Sequence, residues 1–185
     1  MEQVIRSGFR RPASFIGLAI GLGLVLASSC LAADVPTDYQ VKAAFLLNFT
    51  KFIEWPAAAF AARDAPIAIC ILGDDPFGSA LDQIVAGEVV NGRPVAAQRI
   101  KRVPPPKSCQ VLFVGRPEKD AAEILPGLGP GILTVGEGPS FVHGGGMIAF
   151  VVENRRVRFE INQAAAENAG IKLSSRLLNV AKSVE

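Results

Sequence analysis

The chain has 185 residues, half of them hydrophobic, with 19 basic and 17 acidic side chains, which is enough for one domain with a core of its own. Arg6, Arg10, Arg11 and Glu2 all fall within the first 32 residues, so 19 less three and 17 less one leave 16 charges of each sign and no net charge beyond that point. Such a balance gives no sign of a nucleic-acid surface, and one histidine beside two cysteines expected to be bonded leaves a transition-metal site short of ligands.

The N-terminus reads as an export signal. Three arginines precede an uncharged, largely apolar run from Ala13 to Ala27, followed by Ser28-Ser29-Cys30-Leu31-Ala32-Ala33. The apolar run is short and interrupted by glycine, which suits a signal peptide over 1–32 rather than a membrane span. Cleavage after Ala32 or Ala33 is preferred to lipidation at Cys30, because Ala27 stands where a lipobox carries Leu. The mature protein is then residues 33–185, placed in the periplasm. Two cysteines remain, Cys70 and Cys109, and in an oxidising compartment they have one intramolecular pairing available.

In chain order, Thr37 or Asp38 caps a predicted helix from Tyr39 to about Trp55, stopped by Pro56. Val41, Phe45, Phe49 and Phe52-Ile53 form its buried stripe, with Lys42, Asn48 and Lys51 opposite. Trp55 sits either in the core or at a pocket rim. Ile67 to Gly73 is an apolar strand, and Asp74-Asp75-Pro76-Phe77-Gly78 turns into a helix through about Val85, with Asp as cap and Pro in its first turn. Arg93 to Ile100 is a weaker strand and Val103-Pro104-Pro105-Pro106 a stiff loop. Cys109 to Gly115 is a second apolar strand, Glu118 to Leu125 a helix, and Ile132 to Val135 a third strand. After the hairpin discussed next, Gln163 to Ala169 is a helix closed by Gly170, and a last helix runs from Ser174 or Ser175 to about Lys182.

The stretch Gly144 to Asn162 organises the rest. Met147 to Val152 is a continuous apolar run, suited to a strand buried on both faces. Beyond the polar turn Glu153-Asn154-Arg155, Val157, Phe159 and Ile161 alternate with Arg156, Arg158, Glu160 and Asn162, the period of a strand with one wet face. The two runs form a β-hairpin. Strands alternating with helices give the expected fold: α/β, a single domain with a largely parallel central sheet flanked by helices and a C-terminal β-hairpin. The polar row on the second hairpin strand is either solvated or receives an anionic group.

Catalytic patterns fail on inventory. His143-Gly144-Gly145-Gly146 matches the oxyanion loop of some esterases, but there is no Gly-x-Ser-x-Gly elbow and His143 is the sole histidine. Gly127-Leu128-Gly129-Pro130-Gly131 lacks the last glycine of a dinucleotide fingerprint, and Pro130 removes a donor. Asp74 and Asp75 end a strand where α/β sheets often bind ligands, yet they suit a turn and helix cap. No enzyme, no cofactor and no metal are expected.

The ordered segments Tyr39 to Pro56, Ile69 to Gly73, Gly92 to Val95, Cys109 to Phe113, Leu133 to Gly136, Gly145 to Ile148, Val157 to Asn162 and Leu173 to Leu178 together resemble the YfiR family, over about Tyr39 to Ala181. The resemblance implies a small periplasmic protein without catalytic activity that represses an inner-membrane diguanylate cyclase by contacting its periplasmic part; the expected partner of this chain is such a cyclase or a sensor kinase. It also implies release through a peptidoglycan-associated outer-membrane lipoprotein, a link to cyclic di-GMP and biofilm formation, and a disulfide between Cys70 and Cys109. A homodimer stays open. The expected partner surface comprises Lys51, Arg93, Arg156, Arg158, Glu160 and Asn162, with Trp55. The competing expectation is a binding module for a small anionic or aromatic ligand, built from Arg93, Arg156, Arg158 and Trp55.

Overall fold

The computed structural model describes residues 37–115 and 118–185, with side chains described from residue 121 in the second stretch. The expected signal peptide over 1–32, with its cleavage alternatives, lies outside the described residues.

Thr37 opens α1 (Asp38–Lys51) with a capping box, its hydroxyl accepting from the Gln40 backbone N–H and the Gln40 side chain accepting from the Thr37 N–H. The helix stops at Lys51, and β1 (Ile53–Glu54) follows, so Trp55 lies beyond the helix rather than at its end. The next elements are β2 (Ile67–Leu72), α2 (Ser79–Val85), β3 (Val89–Val90), β4 (Arg93–Ile100), β5 (Val111–Val114) and α3 (Glu118–Ile124). They are followed by β6 (Leu133–Glu137), α4 (Pro139–His143), β7 (Ile148–Glu153), β8 (Arg156–Ile161), α5 (Gln163–Asn168), β9 (Lys172–Leu173), α6 (Ser175–Val180) and β10 (Ser183–Val184).

The main sheet runs β10-β8-β7-β6-β5-β2-β4-β3, and β1 pairs separately with β9. From β4 to β7 the pairing is parallel throughout. β8 returns antiparallel to β7, and β3 lies antiparallel to the start of β4. This is the expected α/β architecture with its hairpin. Asn154 and Arg155 both adopt positive φ, 50° and 59°, the geometry of a two-residue turn whose twist matches the strands. That turn fixes the register Glu153↔Arg156 through Ile148↔Ile161.

Two apolar layers flank the sheet. On one face α1, α2, α5 and α6 bury Leu46, Phe49, Leu81, Ala166 and Leu177 against Ile69, Phe113, Val135 and Phe150. Phe45 and Phe49 of α1 meet Phe150 and Phe159 of the hairpin, with ring centroids 5.1 to 6.1 Å apart. Each such pair adds about 0.5–1.5 kcal/mol beyond simple burial, so α1 holds the hairpin in place. On the other face α3 and α4 pack Ala121, Phe141 and Val142 over Cys70, Leu112 and Ala149. Cys70 and Cys109 are disulfide-bonded there, their Cα atoms 6.0 Å apart, which staples β2 to the approach of β5.

Several local expectations are corrected. Lys42 is buried, 5% exposed, whereas Val41, Phe45 and Phe52 are half-buried; the helix is packed on more sides than a single stripe allows. Asp75 does not cap α2. Its Oδ1 accepts from the N–H groups of Phe77 and Gly78, a turn that ends before the helix starts at Ser79. Val152 is 55% exposed because the hairpin tip projects past the helices. The glycine-rich segment contains α4, and a Cβ on either Gly136 or Gly146 would overlap the Phe141 ring, so those glycines make room for a core side chain.

Candidate functional site

The hairpin places Arg156, Arg158, Glu160 and Asn162 on the α4 side of the sheet, where Glu160 stands opposite Ala149 and Arg158 opposite Val151. The row divides in two. Glu160 is 9% exposed and accepts from Lys182 Nζ at 3.1 Å, while Lys182 also lies 3.7 Å from Glu153. The Lys182 ammonium is held above the ordinary lysine range, chiefly by the hydrogen bond to Glu160. Lys182 is brought there by β10, which pairs in parallel with the end of β8, Ser183 opposite Glu160. Asn162 is used internally as well. Its Oδ1 accepts from the Ala165 N–H and caps α5, and its Nδ2 donates to the Val142 carbonyl.

The tip half has no such bonds among the described residues. Arg155, Arg156 and Arg158 are exposed and make no ion pair among the described residues. Arg156 and Arg158 share their face with Glu153, whereas Val152 points to the other face with Val157; with Arg155 at the turn the guanidinium groups offer planar donors suited to carboxylates on another protein.

Arg93 and Trp55 gather elsewhere. They line a cavity of about 300 Å³ with Ile53, Glu54, Phe60 and Asn91. The Arg93 guanidinium stacks 3.7 Å from the Phe60 ring centroid and donates to the Ala65 carbonyl. Trp55 meets Phe60 edge-on, and its indole N–H is buried with no partner among the described residues. Lys51 pairs with Glu88 at 3.2 Å. Four strands separate β4 from β8, about 24 Å at roughly 4.8 Å per strand. Arg93 and Trp55 therefore do not share a site with Arg156 and Arg158, and the four-residue ligand site expected from sequence does not assemble.

Two charged clusters escaped the sequence reading. Arg99 donates from Nε to Asp75, from Nη1 and Nη2 to Asp82, and from Nη2 to the Gly78 carbonyl. The bond to Arg99 holds the Asp82 carboxyl below its usual range and raises Arg99. This clamp ties the turn after β2 to β4. Lys42 Nζ lies 2.9 Å from Glu137 and 4.3 Å from the Tyr39 ring centroid. Burial, then the Glu137 carboxylate, pushes the Tyr39 phenol up. The only sequence signal for either cluster was the charge itself. His143, the histidine of the esterase-like pattern, is exposed and lies 3.2 Å from Glu185.

No helix among the described residues is long and apolar enough to cross a membrane, and no group of three or more His, Cys, Asp and Glu able to hold a metal occurs among them. No curated protein matches the chain. Among solved structures, a conserved domain protein from Vibrio cholerae O1 biovar El Tor aligns with 64% of this chain and 54% of its own, at 12% identity and a TM-score of 0.46. The chain thus spans about half the length of that protein. A family model described as YfiR/HmsC-like matches residues 39–182, nearly all of the described domain, and the chain belongs to that family.

Proposed function

We propose that the chain is a periplasmic regulatory protein that binds the periplasmic part of an inner-membrane signalling protein, a diguanylate cyclase, and represses it. The observation that carries this reading is the family match over residues 39–182. The arginines of the hairpin tip support it, being exposed cations with no ion pair among the described residues. In this account the Arg155, Arg156 and Arg158 surface meets acidic groups of the partner, and an outer-membrane lipoprotein relieves repression by sequestering the protein. The test is a titration of the purified mature protein into membranes that carry the cognate cyclase. Cyclic di-GMP synthesis should fall saturably. Synthesis that stays constant at full occupancy contradicts repression, and absence of binding contradicts the partner.

A second reading is favoured by one observation, the cavity lined by Trp55, Arg93 and Phe60, where the buried indole N–H of Trp55 has no partner among the described residues. An unmet buried donor costs about 1–3 kcal/mol, and a ligand that shifts the indole enough to supply an acceptor would recover part of it. A small anionic or aromatic ligand in that cavity should raise the melting temperature of the isolated protein. Arg93→Ala should abolish the shift and Arg158→Ala should leave it.

A further inference from the structure

β4 is eight residues long, yet its outer side is covered by β3 only at Arg93 and Pro94. Its inner side pairs with β2 from Val95 to Ile100. The Ile100 carbonyl accepts from the Gly73 N–H on the β2 side, and the Val95 N–H donates outward to the Glu88 carbonyl. Backbone groups alternate along a strand, so the N–H and C=O of Ala97 and Arg99 point away from the sheet, where the described residues supply no strand. Unpaired edges of this kind are templates for another extended chain.

Pro94, Lys101 and Arg102 are residues of the kind that guard an exposed edge against indiscriminate pairing, and the same two cations can select an acidic strand. A groove of about 540 Å³ lies at the end of β4 on the disulfide face, lined by Gln98, Ile100, Lys101, Arg102, Val103 and Cys109. Val103 is 44% exposed at its wall. Lys101 and Arg102 are exposed and have no ion pair among the described residues, whereas Arg93 and Arg99 are already bonded internally. A strand added here would gain main-chain hydrogen bonds from Ala97 and Arg99, a pocket for one apolar side chain, and two unpaired cations for its acidic residues.

A second copy of the chain fits poorly. Antiparallel self-pairing centred on Arg99 sets two arginines opposite each other, and pairing centred nearer Val95 runs into β3. The occupant with complementary charge is an acidic extended segment.

We propose that the outer edge of β4 receives an extended, acidic segment of the membrane partner, which adds a strand to the sheet between Ala96 and Val103. This rests on the partner reading above and adds a second contact to it, on the sheet edge opposite the hairpin. The test uses full-length mature protein and the same cyclase-bearing membranes, with binding measured for the wild type, Ala97→Pro and the double variant Lys101→Glu/Arg102→Glu. Ala97→Pro removes an outward N–H. The double variant, which changes no backbone bond, decides the matter should the proline variant fail to keep the wild-type melting temperature. Each folded variant should bind about tenfold more weakly, and hydrogen exchange at the Ala97 and Arg99 amides should slow in the wild-type complex. Wild-type binding together with unchanged affinity of the folded variants and unchanged exchange overturns the edge contact alone. Absence of wild-type binding overturns the partner reading, and the edge contact with it.

Discussion

Lys42 Nζ sits 2.9 Å from Glu137 Oε1, joining the second turn of α1 to the end of β6. The lysine side chain is 6% exposed and that of the glutamate 40%, so Lys42 is a desolvated cation whose partner reaches solvent. Removing the carboxylate leaves the ammonium unpaired. Glu137→Ala is expected to cost about 2 kcal/mol, below the range for a fully buried pair because Glu137 is partly solvated. Lys42→Met in the Glu137→Ala background should recover most of that loss. Urea unfolding of the single and double variants checks this; additive losses would show that the pair does not act as a unit.

The Cys70–Cys109 bond closes a loop of 39 residues. In the chain-entropy account such a loop stabilises by about 4 kcal/mol, a large part of a small domain's margin. The double Cys→Ala variant is expected to lose about 10 °C in melting temperature. Mass spectrometry of the exported protein after alkylation without reductant should find neither Cys70 nor Cys109 alkylated. Two alkylated cysteines at 70 and 109 would contradict the bond and its contribution.

Arg158 is exposed, faces the α4 side and has no ion-pair partner among the described residues, unlike Glu160 and Asn162 in the same row, which are bonded internally. Charge reversal to Glu should leave stability within about 0.5 kcal/mol and weaken partner binding by about 2 kcal/mol. A pull-down with the membrane partner reads this directly. Unchanged affinity of the folded variant would remove the hairpin tip from the interface.

Asp82 is held below its usual value near 3.8, first by the hydrogen bond from Arg99. A carboxylate depressed in the folded state stabilises above its unfolded value, and that contribution disappears as pH falls through the folded one. Stability should therefore decline below about pH 4, and Asp82→Asn should flatten that limb. Equal slopes for the two proteins would show the clamp to be energetically silent.

Phe141 lies against Gly136 of β6 and Gly146 before β7, where a Cβ would overlap its ring. Gly146→Ala is expected to cost about 1–3 kcal/mol by overpacking. Adding Phe141→Leu should restore part of it, since the smaller side chain vacates the space. A melting curve for Gly146→Ala that matches the wild type would contradict the contact.

The parallel core was legible because Ile67 to Leu72 and Val111 to Val114 are continuous apolar runs between turn residues, and such runs have few alternatives to a buried strand. The hairpin was legible because alternation from Arg156 to Ile161 follows a polar turn. The two-residue strands β1, β3, β9 and β10 were not legible. Their pairing is set by distant partners such as Ile53 with Leu173 and Ser183 with Glu160, and no local pattern records that. The same limit hid the site's division: alternation placed Glu160 and Asn162 on a wet face, but only the returning tail brings Lys182 over one and only α5 uses the other. Lys42 was misplaced because helical spacing assigns one apolar stripe, whereas α1 is covered by the sheet, α2 and the β6 end together.

In the living source strain, repression reads out as the level of cyclic di-GMP. Deleting the coding sequence should raise the cyclic di-GMP level, and restoring the wild-type protein to the periplasm should return it to the starting value, while the folded Arg158→Glu protein restores it only in part. A level that does not change on deletion, with the cyclase present and active, would contradict the account.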